Sequence, residues 1–173
     1  MLKKLTPDLY VKSIYHIDLD DLQRRGIRAI ITDLDNTLVA WDDPLPNQRL
    51  IAWLKGAQAK GFSVYIVSNN SRDRVQKFAR AFGVPAISKA IKPRRGAFRT
   101  ACEAMGVEPK EAAIVGDQVF TDVLGGNRLG AYTILVVPVS DREFFGTKIM
   151  RMLERLVLRR LKAWGVTDSP DEE

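Results

Sequence analysis

Apolar residues along this chain fall into four short, mostly β-branched runs, set between longer stretches whose apolar positions recur every three or four residues. The runs are 28–32 (RAIIT), 63–67 (SVYIV), 112–115 (AAIV) and 132–137 (YTILVV). Runs without polar alternation mark strands buried on both faces of a sheet. The stretches between them follow helical spacing: 47–60, with Leu50, Trp53, Leu54 and Ala57 on one side, then 72–82, 94–105 and 122–129. Strand and helix alternate, and parallel neighbours need crossovers long enough to hold a helix. The pattern predicts an α/β fold, a Rossmann-like three-layer sandwich around a mainly parallel sheet.

Punctuation supports these boundaries. Gly61, Gly83 and Gly106 each follow a predicted helix, where a left-handed C-terminal turn favours glycine. Residues 1–27 offer only Ile14, Ile17 and Leu22 as scattered anchors, which predicts turns and one short helix packed on the domain. No repeat, low-complexity stretch or internal linker divides the chain, so residues 1–173 read as a single domain with its core at about 28–137 and a fraying DSPDEE end.

Composition narrows the class. A chain of 173 residues with 46% hydrophobic side chains is globular rather than disordered or fibrous. A single cysteine, Cys102, cannot form an intrachain disulfide and reads as a small buried apolar residue. The opening MLKKLTPDLY lacks the apolar stretch of a secretory signal, so a reducing, cytoplasmic setting is expected. No apolar run approaches the ~20 residues that cross a bilayer. The excess of 27 Lys or Arg over 21 Asp or Glu gives a net charge of +6, which suits an anionic partner without choosing one.

In open α/β sheets ligands bind at the carboxyl ends of the strands. Here those ends are polar: Asp33-Leu34-Asp35-Asn36-Thr37-Leu38 after the first run, Ser68-Asn69-Asn70 after the second, and Gly116-Asp117-Gln118 after the third, with Asp122 close behind and Lys92-Pro93 opening an intervening helix. Asp33 and Asp35, two apart on extended chain, point the same way, and Asp117 ends a neighbouring strand. Mg2+ would relieve their mutual repulsion, since it takes oxygen ligands together with substrate phosphate. Lys92 and the Ser68 hydroxyl supply donors for the remaining phosphoryl oxygens. A carboxylate can attack phosphorus and form an acyl phosphate, the role suited to Asp33. A second carboxyl two residues on, Asp35, can protonate the leaving alkoxide and then deprotonate water.

These residues resemble, in order, the four motifs of the haloacid dehalogenase (HAD) superfamily. Asp33-Leu34-Asp35-Asn36-Thr37-Leu38-Val39 is similar to motif I, Ser68 to motif II, Lys92 to motif III, and Gly116-Asp117 through Asp122 to motif IV. The resemblance implies a Mg2+-dependent phosphohydrolase working through an aspartyl-phosphate. Asp33 would be nucleophile and metal ligand, Asp35 acid/base and a ligand through its backbone carbonyl, and Asp117 a metal ligand. It further implies that Ser68, Asn69 and Lys92 bind substrate, Lys92 also offsetting charge on the transferring phosphoryl group. Asp122 would support the metal through water or orient Lys92, and Asn69 would contact phosphate or the active-site loop. Asp at position 35 resembles the phosphatase branch. At subgroup level the chain resembles the YqeG group of class IIIA, capless phosphatases. That group looks related to mitochondrial phosphatidylglycerophosphate phosphatases, in which Lys typically stands where this chain has Leu34.

Caps in this superfamily are inserted after motif I or between motifs II and III. Residues 36–67 hold only loop, helix and strand, and 69–91 are fewer still, so no large cap domain is expected. An open site suits a phosphate displayed on something large, such as a lipid surface, and leaves cover by a homo-oligomer partner open. In residues 147–164, Lys148, Arg151, Arg155, Arg159 and Lys162 form one stripe, while Met150, Leu153, Val157, Leu161 and Trp164 form another two residues out of step. At 3.6 residues per turn that offset is about 200°, which puts the stripes on opposite faces of an amphipathic helix. Such a helix can pack its apolar face on the sheet or lie on an anionic membrane as a peripheral contact. The competing function is a non-catalytic basic protein using this helix on lipid, RNA or a protein partner. Scattered aromatics and no glycine-aromatic signature argue against nucleic acid. His16 has no ligand set around it, and Trp41 falls where it could rim the site or pack beneath the loop.

Overall fold

A computed structural model describes residues 2–42, 47–140 and 152–160. Six strands, β1 (Leu9–Val11), β2 (Ala29–Thr32), β3 (Ser63–Val67), β4 (Ala86–Ile87), β5 (Ala112–Gly116) and β6 (Tyr132–Val136), form one sheet in the order β1-β6-β5-β2-β3-β4. Every neighbouring pair is parallel. Helices α1 (Leu19–Arg24), α2 (Gln48–Ala59), α3 (Arg72–Phe82), α4 (Gly96–Met105) and α5 (Leu124–Leu129) cover its two faces.

Alternation of side chains along each strand builds the layers. Ile30, Val64, Ile66, Val115 and Ile134 point to the face packed by Leu22, Leu50, Leu54, Val75 and Phe78. Ala29, Ile31, Val67 and Ile114 point to the opposite face, where Phe98, Ala101 and Cys102 of α4 pack. Both faces are dry, which is why the strands read as continuous apolar runs. No cap domain interrupts the described residues.

Two strands and several boundaries differ from the sequence reading. β1 and β4 are short edge strands without an apolar run of their own. β1 is instead secured by Asp8, whose carboxylate accepts the Thr133 N–H at 2.7 Å and its hydroxyl at 3.0 Å. The expected helix at 47–60 starts at Gln48, with the Asn47 side chain accepting the Leu50 N–H at 2.8 Å as its N-cap. The expected helix at 94–105 starts at Gly96. The expected helix at 122–129 is preceded by a π turn over Val119–Val123 and is α-helical only from Leu124. Gly83 and Gly106 close α3 and α4 at φ 66° and 64°, as glycine allows. Ile14, Ile17 and Leu22 are buried, and 3-10 turns at Leu2–Leu5 and Ile14–His16 flank β1.

Of the amphipathic helix at 147–164 only residues 152–160 are described, and they are helical; Lys148, Met150, Arg151, Leu161, Lys162 and Trp164 lie outside the described residues. The helix seats the expected apolar face only in part: Val157 packs inward and Leu153 does not. Val157 and Leu158 pack against Val119, Val123 and Leu135, and Glu154 is buried, its Oε1 accepting the Phe120 N–H at 3.4 Å. Leu153, placed on the packing stripe by its spacing, is exposed together with Met152 and Leu156. Capping the Phe120 N–H requires Glu154 to face inward, and that rotation carries Leu153 out.

β2 lies between β3 and β5, and the chain builds outward from it in opposite directions, so the sheet has its topological switch point at the end of β2. Thr32 pairs with Ile66 on one side and Val115 on the other. The Asp33 N–H continues the ladder to the Val115 carbonyl at 2.9 Å. Asp33, Ser68 and Asp117 therefore leave three adjacent strands at one edge.

Candidate active site

A cavity of about 350 Å³ opens at this edge, lined by Asp33, Asp35, Ser68, Asn69, Asn70, Lys92 and neighbouring polar groups, with Trp41 on its wall. Lining Asp33 is joined by Asp117 and Asp122, each of the three placing a carboxylate oxygen within 4.8 Å of the others. All three are buried, as is Lys92, whose Nζ lies 2.7 Å from Asp33 Oδ1 and 2.7 Å from Asp122 Oδ1.

Local sequence explains how each group arrives there. Gly116, the last residue of β5, leaves no side chain between strand and π turn; a Cβ there would fall 2.2 Å from Asp122 Cγ. The π turn, with the Asp122 and Val123 N–H groups both reaching the Gln118 carbonyl, seats Asp122 in that gap. Thr37, buried, donates its hydroxyl to Asp117 Oδ1 at 3.1 Å. Asn36 takes a left-handed backbone (φ 60°), tolerable for Asn, and sends its N–H to the Val39 carbonyl. Lys92 is held by Asn69, whose Oδ1 accepts the Lys92 N–H at 2.8 Å and whose Nδ2 reaches the Lys92 carbonyl at 3.5 Å.

Asp35 faces elsewhere. Its Oδ1 accepts from Arg74 Nε at 2.6 Å and its Oδ2 from Asn70 Nδ2 at 2.9 Å. Arg74 also donates to the Ala40 carbonyl at 3.0 Å, tying α3 to the chain beyond Asp35. Thus the side chains of Asp33, Asp117, Asp122 and Lys92 meet, Ser68 and Asn69 border them, and the Asp35 carboxylate stands at the wall. The Ser68-Asn69-Asn70 run serves Lys92 and Asp35 rather than capping α3, whose N-cap, Ser71, makes no side-chain cap bond. Arg74, Asn70 and Thr37 were not singled out from sequence. Asn70 and Thr37 sit inside motif segments where a signal existed, whereas Arg74 looks like any helix-surface arginine.

The electrostatics are unbalanced. Burial pushes the Asp33 carboxyl up to about 7, Lys92 working against that shift and the Asp122 and Asp117 charges adding to it. Burial alone would lower the Lys92 ammonium, but Asp122 and Asp33 hold it above its usual range. Three carboxylates against one ammonium leave room for a divalent cation, and all-oxygen donors suit a hard one. The residues present fit such an ion.

A family model described as haloacid dehalogenase-like hydrolase matches residues 3–130. The chain is 48% identical to "Probable phosphatase YqeG" of Bacillus subtilis, over 95% of this chain and 96% of that protein. It is 30% identical to "Phosphatidylglycerophosphate phosphatase 1, chloroplastic/mitochondrial" of Arabidopsis thaliana, over 91% of this chain but only 47% of that longer protein. Among solved structures, the cobalt-bound deoxy-D-mannose-octulosonate 8-phosphate phosphatase of Haemophilus influenzae shares the fold at a TM-score of 0.54 and 15% identity, covering 78% of this chain and 89% of that one. A family match across most of the chain, a phosphatase relative spanning nearly all of it, and an acidic cluster with a buried lysine at the switch point agree: the chain belongs to the haloacid dehalogenase-like hydrolase family and is an enzyme of its phosphatase type.

Proposed function

We propose that the protein is a Mg2+-dependent phosphomonoesterase acting through an aspartyl-phosphate on Asp33. The observation that carries this reading is the buried meeting of Asp33, Asp117, Asp122 and Lys92 beneath an open polar cavity. Asp33, Asp117 and the Asp35 carbonyl would hold the ion, with Asp122 beside it. Bound there, the cation would supply positive charge against the phosphoryl oxygens and keep Asp33 ionised.

In the first step an Asp33 oxygen attacks phosphorus, the ester P–O bond breaks, and Asp35 gives its proton to the leaving alkoxide. In the second, Asp35 takes a proton from water, the water oxygen attacks phosphorus, and the Asp33 carboxylate is released with inorganic phosphate. Lys92, fixed by Asp122 and Asn69, sits against the charge that builds on the transferring group. Ser68, whose Oγ accepts the Asn70 N–H at 3.1 Å, keeps its own proton for a phosphoryl oxygen.

The substrate class we propose is a phosphate displayed on lipid, with phosphatidylglycerophosphate the specific candidate. Two features support this reading: the similarity to the Arabidopsis phosphatidylglycerophosphate phosphatase, and the outer face of residues 152–160, where Met152 and Leu156 are exposed beside exposed Arg155, Arg159 and Arg160. Among the described residues no helix is long and apolar enough to cross a membrane, so contact with lipid would be peripheral.

The test is phosphate release from para-nitrophenyl phosphate, soluble sugar and nucleotide phosphates, and phosphatidylglycerophosphate in vesicles, each with Mg2+ or EDTA. The reading requires Mg2+-dependent release that Asp33→Asn abolishes without changing the far-UV circular dichroism. Turnover confined to soluble esters would remove the lipid substrate and keep the chemistry.

A further inference from the structure

Ile91 is 60% exposed, has a left-handed backbone at φ 56°, and directly precedes the catalytic-site lysine. A β-branched residue is a poor choice for that conformation, in which its Cβ crowds the backbone. The backbone itself has a clear purpose. The Lys89 N–H reaches the Asn70 carbonyl at 3.1 Å, the Ala90 N–H the Ser68 carbonyl at 3.0 Å, and the Arg94 N–H the Ile91 carbonyl at 3.0 Å. That tight turn sends Lys92 back under the cavity. It accounts for the conformation but not for the side chain, since Gly or Asn would adopt it at less cost.

The side chain is not isolated. Trp41, on the cavity wall, is 42% exposed, and Val139, whose N–H donates to the carbonyl of cavity-lining Asn36 at 2.8 Å, is 52% exposed. Three exposed large apolar residues from three separate segments thus belong to the cavity's surroundings: Trp41 lines it, Ile91 is next in sequence to lining Lys92, and Val139 is bonded through its backbone to lining Asn36. The segment carrying Ile91 is also basic: from Val84 to Cys102 the sequence has five Lys or Arg and no acidic residue, and Lys89, Arg94 and Arg95 are exposed. Apolar tips backed by cations complement a surface whose headgroups are anionic and whose interior is apolar.

We propose that the mouth of the active site is itself a membrane-docking edge, with Ile91, Trp41 and Val139 entering an anionic bilayer and the 89–95 turn held against its headgroups. This deepens the lipid-substrate reading above and rests on it for its purpose, but docking is measured without turnover.

The test uses the full chain and its Ile91→Asn variant with vesicles of phosphatidylglycerol and phosphatidylcholine, with vesicles of phosphatidylcholine alone, and with para-nitrophenyl phosphate. Asn tolerates the left-handed backbone, so the variant is expected to melt at the same or a higher temperature than the wild type and to turn over the soluble ester within twofold of it. Its partition onto the anionic vesicles is expected to fall about five- to tenfold, while neither protein favours the neutral ones. Unchanged partition in the variant, or a wild type that ignores both kinds of vesicle, would overturn the proposal. Partition that falls in the variant although no ester is hydrolysed would keep the docking edge and remove the catalytic reading. Hydrolysis of para-nitrophenyl phosphate with partition unaffected by the substitution would do the reverse.

Discussion

Asp35 is the residue whose surroundings say most about how this site would work. Both its oxygens are engaged, by Arg74 and Asn70, and a general acid held by an arginine must be presented in one orientation to reach a leaving group. Arg74→Ala is expected to slow an alkyl phosphate, which needs its alkoxide protonated, about a hundredfold. Para-nitrophenyl phosphate, with its good leaving group, should slow only a few-fold, and Arg74→Lys should recover part of the loss. Equal losses on both esters would assign Arg74 to the fold alone. Asp33 carries a second prediction. Its carboxyl rises from 3.8 to about 7 on folding, so the metal-free native state holds a proton that the unfolded chain loses first. That contribution to stability is complete below about pH 4 and is lost as pH climbs through about 7. In EDTA the melting temperature should therefore fall across this range relative to Asp33→Asn, and Mg2+ should restore it near pH 8 but change little near pH 4. Asp33 and Asp117 were legible in the sequence because they stand at predicted strand ends, and Asp122 and Lys92 because they stand where predicted helices open. Arg74 was not, because its role depends on the fold bringing α3 within reach of Asp35 and the Ala40 carbonyl, which helical spacing does not report.

At the scale of elements, glycine positions separate close packing from mere flexibility. Gly116→Ala places a methyl against Asp122 and should cost about 1–3 kcal/mol of stability and about a hundredfold in turnover, as Asp122 and Lys92 shift together. Gly56→Ala, within α2 with nothing inside 4 Å of the added carbon, should instead stabilise by about 0.5–1 kcal/mol and leave turnover alone. Chemical denaturation and steady-state rates of the two variants check the contrast. The four central strands and most helices were readable from periodicity because burial on both faces leaves the strands almost wholly apolar, with only Ser63, Thr32 and Thr133 as small polar exceptions. β1 and β4 were not, since an edge strand of two or three residues carries no period, and β1 depends on a distant Asp8–Thr133 contact. The π turn at Val119–Val123 eluded the helical pattern because widening one turn for Asp122 leaves the spacing of apolar residues almost intact. The orientation of 152–160 was missed for a different reason: a buried Glu154 outweighs an apolar Leu153 once a backbone N–H needs a partner.

For the whole molecule, the parallel sheet converts four separated sequence motifs into one cluster by a single topological fact, the reversal of strand order around β2. Among the described residues the same topology leaves the mouth uncovered, with exposed Trp41 on its wall and the basic 89–95 turn beside it. Fold, family and enzyme type follow from patterning and comparison together, while the substrate depends on what approaches that mouth. The central claim is that Asp33 becomes phosphorylated during turnover. The most direct measurement is rapid acid quenching of the Mg2+-loaded enzyme with a phosphate monoester, followed by peptide mass spectrometry. The account predicts one phosphoryl group on the peptide containing Asp33, absent in EDTA and in Asp33→Asn. Steady phosphate release with that peptide unmodified, and with Asp33→Asn still active, would contradict it.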